Sequence, residues 1–419
     1  MDIKKIYALF SLNYLADTDT RKIRKGSIYF ALKGENFDGN KFALEALANG
    51  ADYAIVDNPQ YANDSSIILV EDTLKTLQNL AKYHRAILNI PIISLTGSNG
   101  KTTTKELINT VLSKKFRTTA TTGNLNNHIG VPLTLLSMTP NTEIGIIEMG
   151  ANHLKEIEFL CSIAQPNFGY ITNFGKAHLE GFGSFEGIIE GKSELYNYLR
   201  KTNGTAFINS EDPLQIQQSK KINAIRFNTK IIRFIEANPF VKVSFDSVTI
   251  KSNLIGAYNY NNIAAAITIG NYFKVSTNLI KEALENYIPT NNRSQIIETN
   301  NSKIILDAYN ANPSSMQAAL ENFNNLNGEN KIVFLGDMFE LGESSASEHQ
   351  KIADLAMSFN FSKLFLIGKA FSATNTKNAL IFDSFESFKK TNLSKCINQS
   401  TILIKGSRGM ALERILDLF

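Results

Sequence analysis

Cysteine is scarce in this chain. Cys161 and Cys396 are the only two in 419 residues and lie far apart, which argues against a disulfide framework and suits a reducing compartment. No run reaches 18 apolar residues, so no membrane-spanning helix is expected. Lysine and arginine form no dense block, and 43 basic against 39 acidic residues leave a net charge of only +4. A general nucleic-acid or membrane-binding surface is therefore unsupported, and any anion handling is local. Lys4-Lys5 followed by Ile6 to Ala16 imitates an export signal. Asn13 interrupts it, however, and Ile6, Leu9, Phe10 and Asn13 suit a short amphipathic helix, so a cytoplasmic protein is expected. Internal repeats and low-complexity segments are missing too, as is a Gly-x-Gly-x-x-Gly turn, which argues against a dinucleotide cofactor.

The most informative feature present is Ile92 to Thr104. An apolar run ends in Thr96-Gly97-Ser98-Asn99-Gly100, and Lys101-Thr102-Thr103-Thr104 opens a helical pattern in which Leu107, Ile108, Val111 and Leu112 share one face. Strand, glycine turn and helix N-terminus in that order make a phosphate cradle. The glycines let the backbone approach the anion, the free N–H groups of the first turn point at it, and the helix dipole favours its charge. Lys101 supplies a point charge and Thr102 a hydroxyl suited to Mg²⁺. The spacing departs from the standard P-loop, because only Ser98 and Asn99 separate the two glycines. A plain strand-to-helix turn is the alternative, and ATP binding is the better reading.

The length suggests about three domains, and the pattern divides at 1–88, 89–290 and 291–419. The first block carries strands at Ser27–Leu32, Asp52–Val56 and Ile67–Val70, with helices near Lys41–Asn49 and over Thr73–Leu88. In the second, strands at Ile92–Leu95, Ile144–Glu148, Phe168–Thr172 and Ala206–Asn209 are mostly separated by helical patterns, the signature of a parallel sheet. Shorter strands and polar turns over residues 210–255 suggest an antiparallel edge. Beyond the polar cluster Pro289 to Arg293, strands at Lys303–Leu306, Lys331–Leu335, Lys363–Ile367, Ala379–Phe382 and Thr401–Lys405 predict another doubly wound, Rossmann-like unit. The fold class is α/β with three domains. Ligands in such sheets bind beyond the carboxyl ends of the strands, so the chemistry should gather between the second and third domains.

Glu148 ends a strand beside the phosphate loop and could hold Mg²⁺, or it could be an ordinary strand-end acid. His178, directly after another strand, could be a ligand or a hydrogen-bonded structural group. Lys192, in Glu190-Gly191-Lys192-Ser193-Glu194, would by composition be a solvated helix lysine, and nothing in its spacing singles it out. Asn259 and Asn262 sit at the start of a helix expected over Asn262–Tyr272, where they could cap it or read an adenine edge. Arg293, at a domain boundary, could reach phosphate, and Asp307 could accept from a ribose hydroxyl.

A longer series of motifs runs through the whole chain. It comprises Asp19-Thr20-Arg21, Phe30-Ala31-Leu32-Lys33-Gly34 with Phe37-Asp38-Gly39, Thr96 to Thr104, and Asn124-Leu125-Asn126-Asn127-His128-Ile129-Gly130-Val131-Pro132. It continues with Glu148-Met149-Gly150-Ala151-Asn152, Ile171 to Glu180, Gly183 to Glu186, Lys192, Tyr258-Asn259, Asp307 to Pro313 and Lys405-Gly406-Ser407-Arg408-Gly409. With these the chain resembles the Mur ligases, the ATP-dependent amide-forming enzymes of peptidoglycan precursor synthesis. Tyr309-Asn310-Ala311-Asn312-Pro313 and Phe30 to Gly34 resemble the branch that joins D-alanyl-D-alanine to UDP-N-acetylmuramoyl-tripeptide. The Asp-Asn-Pro motif usual in the branch adding the third amino acid is not found. One departure is Lys155, where the family usually has a Gly-Glu pair after Ala-Asn-His; a change of helix entry is expected there.

The resemblance implies roles. Gly97, Ser98, Asn99, Gly100, Lys101, Thr102 and Thr103 would hold ATP, with Thr102 and Glu148 on one Mg²⁺. His178 and Lys192, the latter carbamylated, would serve a second Mg²⁺. Asn259 would contact adenine, Arg293 the phosphates and Asp307 the ribose, with Lys101, His178, Lys192 and Arg293 the catalytic set. Arg21, Lys33, Gly34, Phe37, Asp38 and Gly39 would hold the UDP moiety. Asn124, Asn126 and Asn127 would face the acceptor, and Asn310, Asn312, Ser407 and Arg408 the dipeptide. A monomer acting on small molecules is implied, with no nucleic-acid partner and no membrane insertion. A sibling ligase adding another amino acid, or an ATP-binding scaffold, are the rival readings.

Overall fold

Strands of β-branched residues alternating with amphipathic helices give three parallel sheets, each built by crossover connections. The computed structural model describes residues 2–290, 293–299, 302–390 and 399–418. Asn291 and Asn292 of the polar boundary cluster and Cys396 therefore lie outside the described residues.

The first sheet orders Ala16–Asp17, Ile28–Phe30, Tyr53–Val56 and Ile67–Leu69, all parallel. A short antiparallel hairpin, Lys33–Gly34 with Phe37–Asp38, stands apart from it. The N-terminal amphipathic helix forms over Ile3–Phe10, with Ile6 and Phe10 buried. The Thr73–Leu88 helix spans the range its periodicity predicts, capped at its start by Asp72 and ended by Asn89 in the left-handed conformation.

The second sheet orders Asn223–Phe227, Thr205–Asn209, Phe168–Ile171, Ile92–Thr96, Ile144–Glu148 and Thr118–Ala120, again all parallel. Ile92–Thr96 is central, with later strands added on both its flanks, so the strand order reverses beside it. Such a switch point opens a crevice at the carboxyl ends of the strands. Leu107, Ile108, Val111 and Leu112 of the following helix are fully buried, each contributing about 1.5–3 kcal/mol relative to exposure.

Residues 210–255 correct the sequence expectation. Asn223–Phe227 extends the main sheet in parallel, because the short helix Pro213–Gln218 supplies the crossover that polar turns alone would not. The antiparallel strands Arg233–Ala237, Phe240–Phe245 and Val248–Ile255 form a sheet of their own rather than an edge. The third parallel sheet orders Ser302–Asp307, Ser400–Lys405, Lys331–Gly336, Lys363–Ile367 and Leu380–Phe382, and gains an antiparallel edge strand, Gln295–Thr299, that its mixed polar pattern hid.

The first and second sheets share one hydrophobic cluster, in which Ile6, Phe10, Leu77 and Leu80 pack with Val131, Leu135, Ile157 and Leu160. Arg85 pins the same junction. Nearly buried, it donates from Nε to the Ala164 carbonyl (3.1 Å), and from one terminal nitrogen to Gln165 O (3.2 Å) and Asn167 Oδ1 (2.9 Å). Arg85→Ala should lower stability by about 2–4 kcal/mol, since it strands buried acceptors. The denaturant midpoint measures this, and an unmoved midpoint would mean the junction is held by its apolar contacts alone.

Candidate active site

Two glycines shape the loop after Ile92–Thr96. Gly97 has φ +141° and Gly100 φ +78°, both outside ordinary L-residue territory, and Gly100 starts the Lys101–Leu112 helix. A Cβ at Gly97 would stand 2.0 Å from Thr172 Oγ1, and one at Gly100 would stand 2.7 Å from Asn262 Oδ1. The loop is thus wedged between the neighbouring strand end and the Asn259–Tyr272 helix. Asn99 is its most heavily bonded residue. Its N–H donates to Asn173 Oδ1 (3.1 Å), and its carbonyl accepts from Thr172 Oγ1 (2.6 Å) and Asn173 Nδ2 (3.0 Å). Its side-chain oxygen accepts from Asn312 Nδ2 of the last domain (2.7 Å).

Lys101 folds back over the loop, Nζ donating to Gly97 O (2.7 Å) and Ser98 O (3.2 Å). Burial draws its pKa below the ordinary lysine value, and the Glu148 carboxylate opposes that shift. Glu148, 1% exposed, accepts from Asn126 Nδ2 at Oε1 (2.8 Å), while its buried Oε2 has no hydrogen-bond partner. An acceptor left bare in the interior is costly. Beside a buried threonine hydroxyl on the loop, Thr102, it suits a hard cation with oxygen ligands.

These groups open onto a cavity of about 1270 Å³ between the second and third domains, with Leu74 and Gln78 of the first at its margin. Of the residues expected in the site, Ser98, Asn99, Gly100, Lys101, Thr102, Thr103, Asn124, Asn126, Asn127, Glu148, His178, Asn259, Arg293, Asp307, Asn310 and Asn312 line it. The last domain seats on the loops around it through Asn312 on Asn99, Ser314 Oγ accepting from Lys176 N–H (2.9 Å), and Glu348 paired with Lys176 Nζ (3.2 Å). His178 Nδ1 lies 2.5 Å from Glu340 Oε2, and this contact holds the Glu340 carboxyl below its usual range.

Several expected side chains are already engaged. Asn259 gives Nδ2 to Ile255 O (2.8 Å) and accepts from Asn262 Nδ2 (2.7 Å), so neither asparagine caps the helix, which begins at Asn259. Asp307 accepts from Ser294 N–H (3.1 Å) and pairs with buried Lys405 (2.5 Å). Asn127 Oδ1 caps the next helix through Ile129 N–H (3.1 Å) and Gly130 N–H (2.9 Å). Arg293 lies over the Tyr309 ring at 3.8 Å, with Arg408 at 5.5 Å.

Other expected residues do not line the cavity. Gly97 lies beneath the loop. Lys192 is fully buried, Nζ donating to Ala151 O (3.0 Å) and facing the Phe182 ring at 4.9 Å; burial first, then the charge of Lys101, pulls its pKa well below normal. Ser407 accepts from Phe339 N–H (2.9 Å), a contact between two loops of the last domain. Arg21 pairs with Asp19 (2.8 Å), Lys33 with Asp57 (2.7 Å), Phe37 stacks on Phe42 (5.4 Å), and Asp38 accepts from Asn40 (2.7 Å). Arg21, Lys33, Gly34 and Phe37 are exposed, Asp38 is half-buried and Gly39 is buried. Lys155 takes φ +72° at a helix entry and gives its N–H to Glu194 (2.6 Å), the conformation a glycine adopts freely. Sequence reasoning missed Asn173, Ser314, Glu340 and Lys405 as site-forming groups. Asn173 and Lys405 end strands and could have been found from that; Glu340 carries no local signal.

Comparison with known proteins now bears on this geometry. Models of the Mur ligase family match residues 16–85 (catalytic domain), 95–270 (middle domain) and 292–408 (glutamate ligase domain). A Bacillus subtilis UDP-N-acetylmuramoyl-tripeptide–D-alanyl-D-alanine ligase is 36% identical over 418 residues, 95% of this chain and 91% of its own. The chain belongs to the Mur ligase family. Among solved Mur ligases, MurF from Acinetobacter baumannii superposes with a TM-score of 0.86 at 31% identity, covering 96% of this chain and 92% of its own. A Thermotoga maritima MurF ligase in complex with ADP gives 0.85 at 28%, covering 97% and 96%.

Gly97→Ala tests the loop. The added methyl has no room and the φ no tolerance, so affinity for a non-hydrolysable ATP analogue should fall about tenfold or more, equivalent to roughly 1.4 kcal/mol of strain. Calorimetry giving an unchanged dissociation constant would mean the loop does not seat the nucleotide.

Proposed function

We propose that this chain is an ATP-dependent ligase joining D-alanyl-D-alanine to UDP-N-acetylmuramoyl-tripeptide, with ADP and phosphate as co-products. The observation that carries the proposal is the near-full-length likeness to ligases of that name, coupled to a cleft where a phosphate loop faces a buried, half-unpartnered carboxylate.

The chemistry follows from the poor reactivity of a carboxylate as an acyl donor. An oxygen of the tripeptide's terminal carboxylate attacks the γ-phosphorus of ATP, the bond to ADP breaks, and an acyl phosphate forms. The D-alanyl-D-alanine amine then attacks the acyl carbon, phosphate departs, and the amine loses its proton. Lys101, swinging off its loop carbonyls, offsets repulsion between carboxylate and triphosphate, and Arg293 approaches the phosphates from the last domain. Asn259 and Asp307 are assigned to the nucleoside side. Asn124 and Asn126 face the acceptor, and Asn310 with Arg408 the dipeptide. Asn127 keeps the acceptor side through Nδ2, its Oδ1 being held at the next helix entry, while Asn312 and Ser407 are reassigned to building the walls, since their polar atoms are spent on docking, a helix cap and a loop-to-loop contact. The Arg21, Lys33 and Phe37 patch is assigned to the UDP end. Because acyl phosphates hydrolyse, the seated last domain excludes water.

Magnesium fits at Thr102 and Glu148 on the strength of the bare Oε2. A second ion at His178 and Lys192 requires Lys192 to be carbamylated, since among the described residues no three His, Cys, Asp or Glu side chains converge. The depressed Lys192 pKa favours the neutral amine that reacts with CO₂. When bound, such ions neutralise phosphate charge. No helix among the described residues is long and apolar enough to cross a membrane, consistent with water-borne nucleotide substrates.

Protein incubated with ATP, Mg²⁺, UDP-N-acetylmuramoyl-tripeptide and D-alanyl-D-alanine should yield a UDP-pentapeptide mass that depends on every component. ATP hydrolysis indifferent to amine and acceptor would overturn the proposal. Lys101→Ala should abolish turnover without unfolding the chain. Lys192→Ala should be nearly inactive and regain rate with short carboxylic acids; full activity without them would remove its role.

A further inference from the structure

Lys105 is a buried lysine that no step above uses. It follows Lys101 by about one helical turn and is 1% exposed. Its Nζ donates to the Thr121 carbonyl at 2.6 Å and to Glu106 Oε1 at 2.5 Å. An apolar side chain could fill that space without dehydrating an ammonium, so what the charge gains is its hold on Thr121.

Thr121, also 1% exposed, is a junction. Its N–H donates to Ile146 O (3.0 Å), and its hydroxyl accepts from the Glu148 N–H (3.0 Å). The chain then enters the turn that brings Asn124, Asn126 and Asn127 to the cavity. Asn126 returns to the same acid. Its Nδ2 donates to Glu148 Oε1 (2.8 Å), and its carbonyl accepts from Gly150 N–H (2.8 Å). One cation on the phosphate-loop helix therefore holds both the backbone that carries Glu148 and the loop that faces the acceptor.

We infer that Lys105 is a positioning residue for the acceptor side of the cleft. It clamps the Thr121–Asn127 loop to the phosphate-binding helix, fixing where the UDP-linked acceptor lies relative to the terminal phosphate. The inference rests on the reaction proposed above.

Lys105→Met keeps the stem and removes the ammonium, whereas Lys105→Arg keeps a donor cation. Calorimetry would measure UDP-N-acetylmuramoyl-tripeptide binding in saturating Mg²⁺ and a non-hydrolysable ATP analogue, and separately the analogue alone. Lys105→Met should weaken the acceptor about tenfold and the analogue by no more than about twofold, with Lys105→Arg restoring most of the acceptor affinity. Unchanged acceptor binding, or equal weakening of both ligands, would overturn the inference. If Lys105→Met does not fold, Thr121→Val decides at the other end of the same contacts, because Thr121 does not line the cavity and its hydroxyl holds the Glu148 N–H: selective loss of acceptor affinity supports the clamp, and unchanged affinity refutes it. Parent protein that binds the acceptor yet makes no UDP-pentapeptide would sink the reaction and leave the clamp standing.

Discussion

Asn99 is the contact on which the arrangement turns. Its backbone is tied to the Thr172-Asn173 strand end, and its side chain is tied to Asn312 of the last domain. Backbone polar groups in so tight a turn must find partners, and here the partners come from two different sheets. The loop's shape, the seating of the last domain and the position of Lys101 are consequently one problem. A loop two residues shorter than the standard P-loop can hold its form because Thr172 and Asn262 wall it in on opposite sides.

Much of this was legible in the sequence. Continuous apolar, β-rich runs located the strands flanking the loop, since parallel strands buried on both faces need them. Glycine spacing located the cradle, and strand ends located Glu148 and Asp307. What escaped had physical reasons. Gln295–Thr299 forms only by pairing with Ser302–Asp307 at an edge, where polar residues are tolerated. The separate antiparallel sheet was hidden because short strands with polar turns look alike whether they extend a sheet or begin a new one. Side-chain engagement was the least readable. Nothing in the spacing of Asn312 or Ser407 announces that a helix cap, domain docking and a loop-to-loop contact use their polar atoms, and Asn is as suited to capping as to ligand binding. Lys192 is a different kind of case: composition marks it as a solvated helix lysine, and only the fold reveals that it is enclosed.

The chemistry proposed for the cleft asks opposite things of its two sides. Phosphate handling needs positive charge and free N–H groups; a cation site needs bare carboxylate oxygen. The structure separates these by one strand, with Lys101 after the central strand and Glu148 at the end of its neighbour, where Leu95 pairs with Glu148 in register. That adjacency lets the acid favour the lysine's charge without forming a salt bridge that would consume both.

The two domain junctions differ in kind. The first and second domains are fused by a common apolar cluster around the Thr73–Leu88 helix, and parting them would wet that oil. The third meets the second chiefly through polar contacts at Asn312, Ser314, Glu340 and Glu348, with Ile255, Leu179 and Phe240 the apolar exceptions. Water can replace most of those contacts at small net cost. Mechanically the molecule is a fixed anvil, carrying acceptor patch and phosphate loop, with one detachable jaw. Substrates of very unequal size can then be loaded onto a static surface, and the whole expense of sealing the chamber falls on the polar contacts of that one jaw.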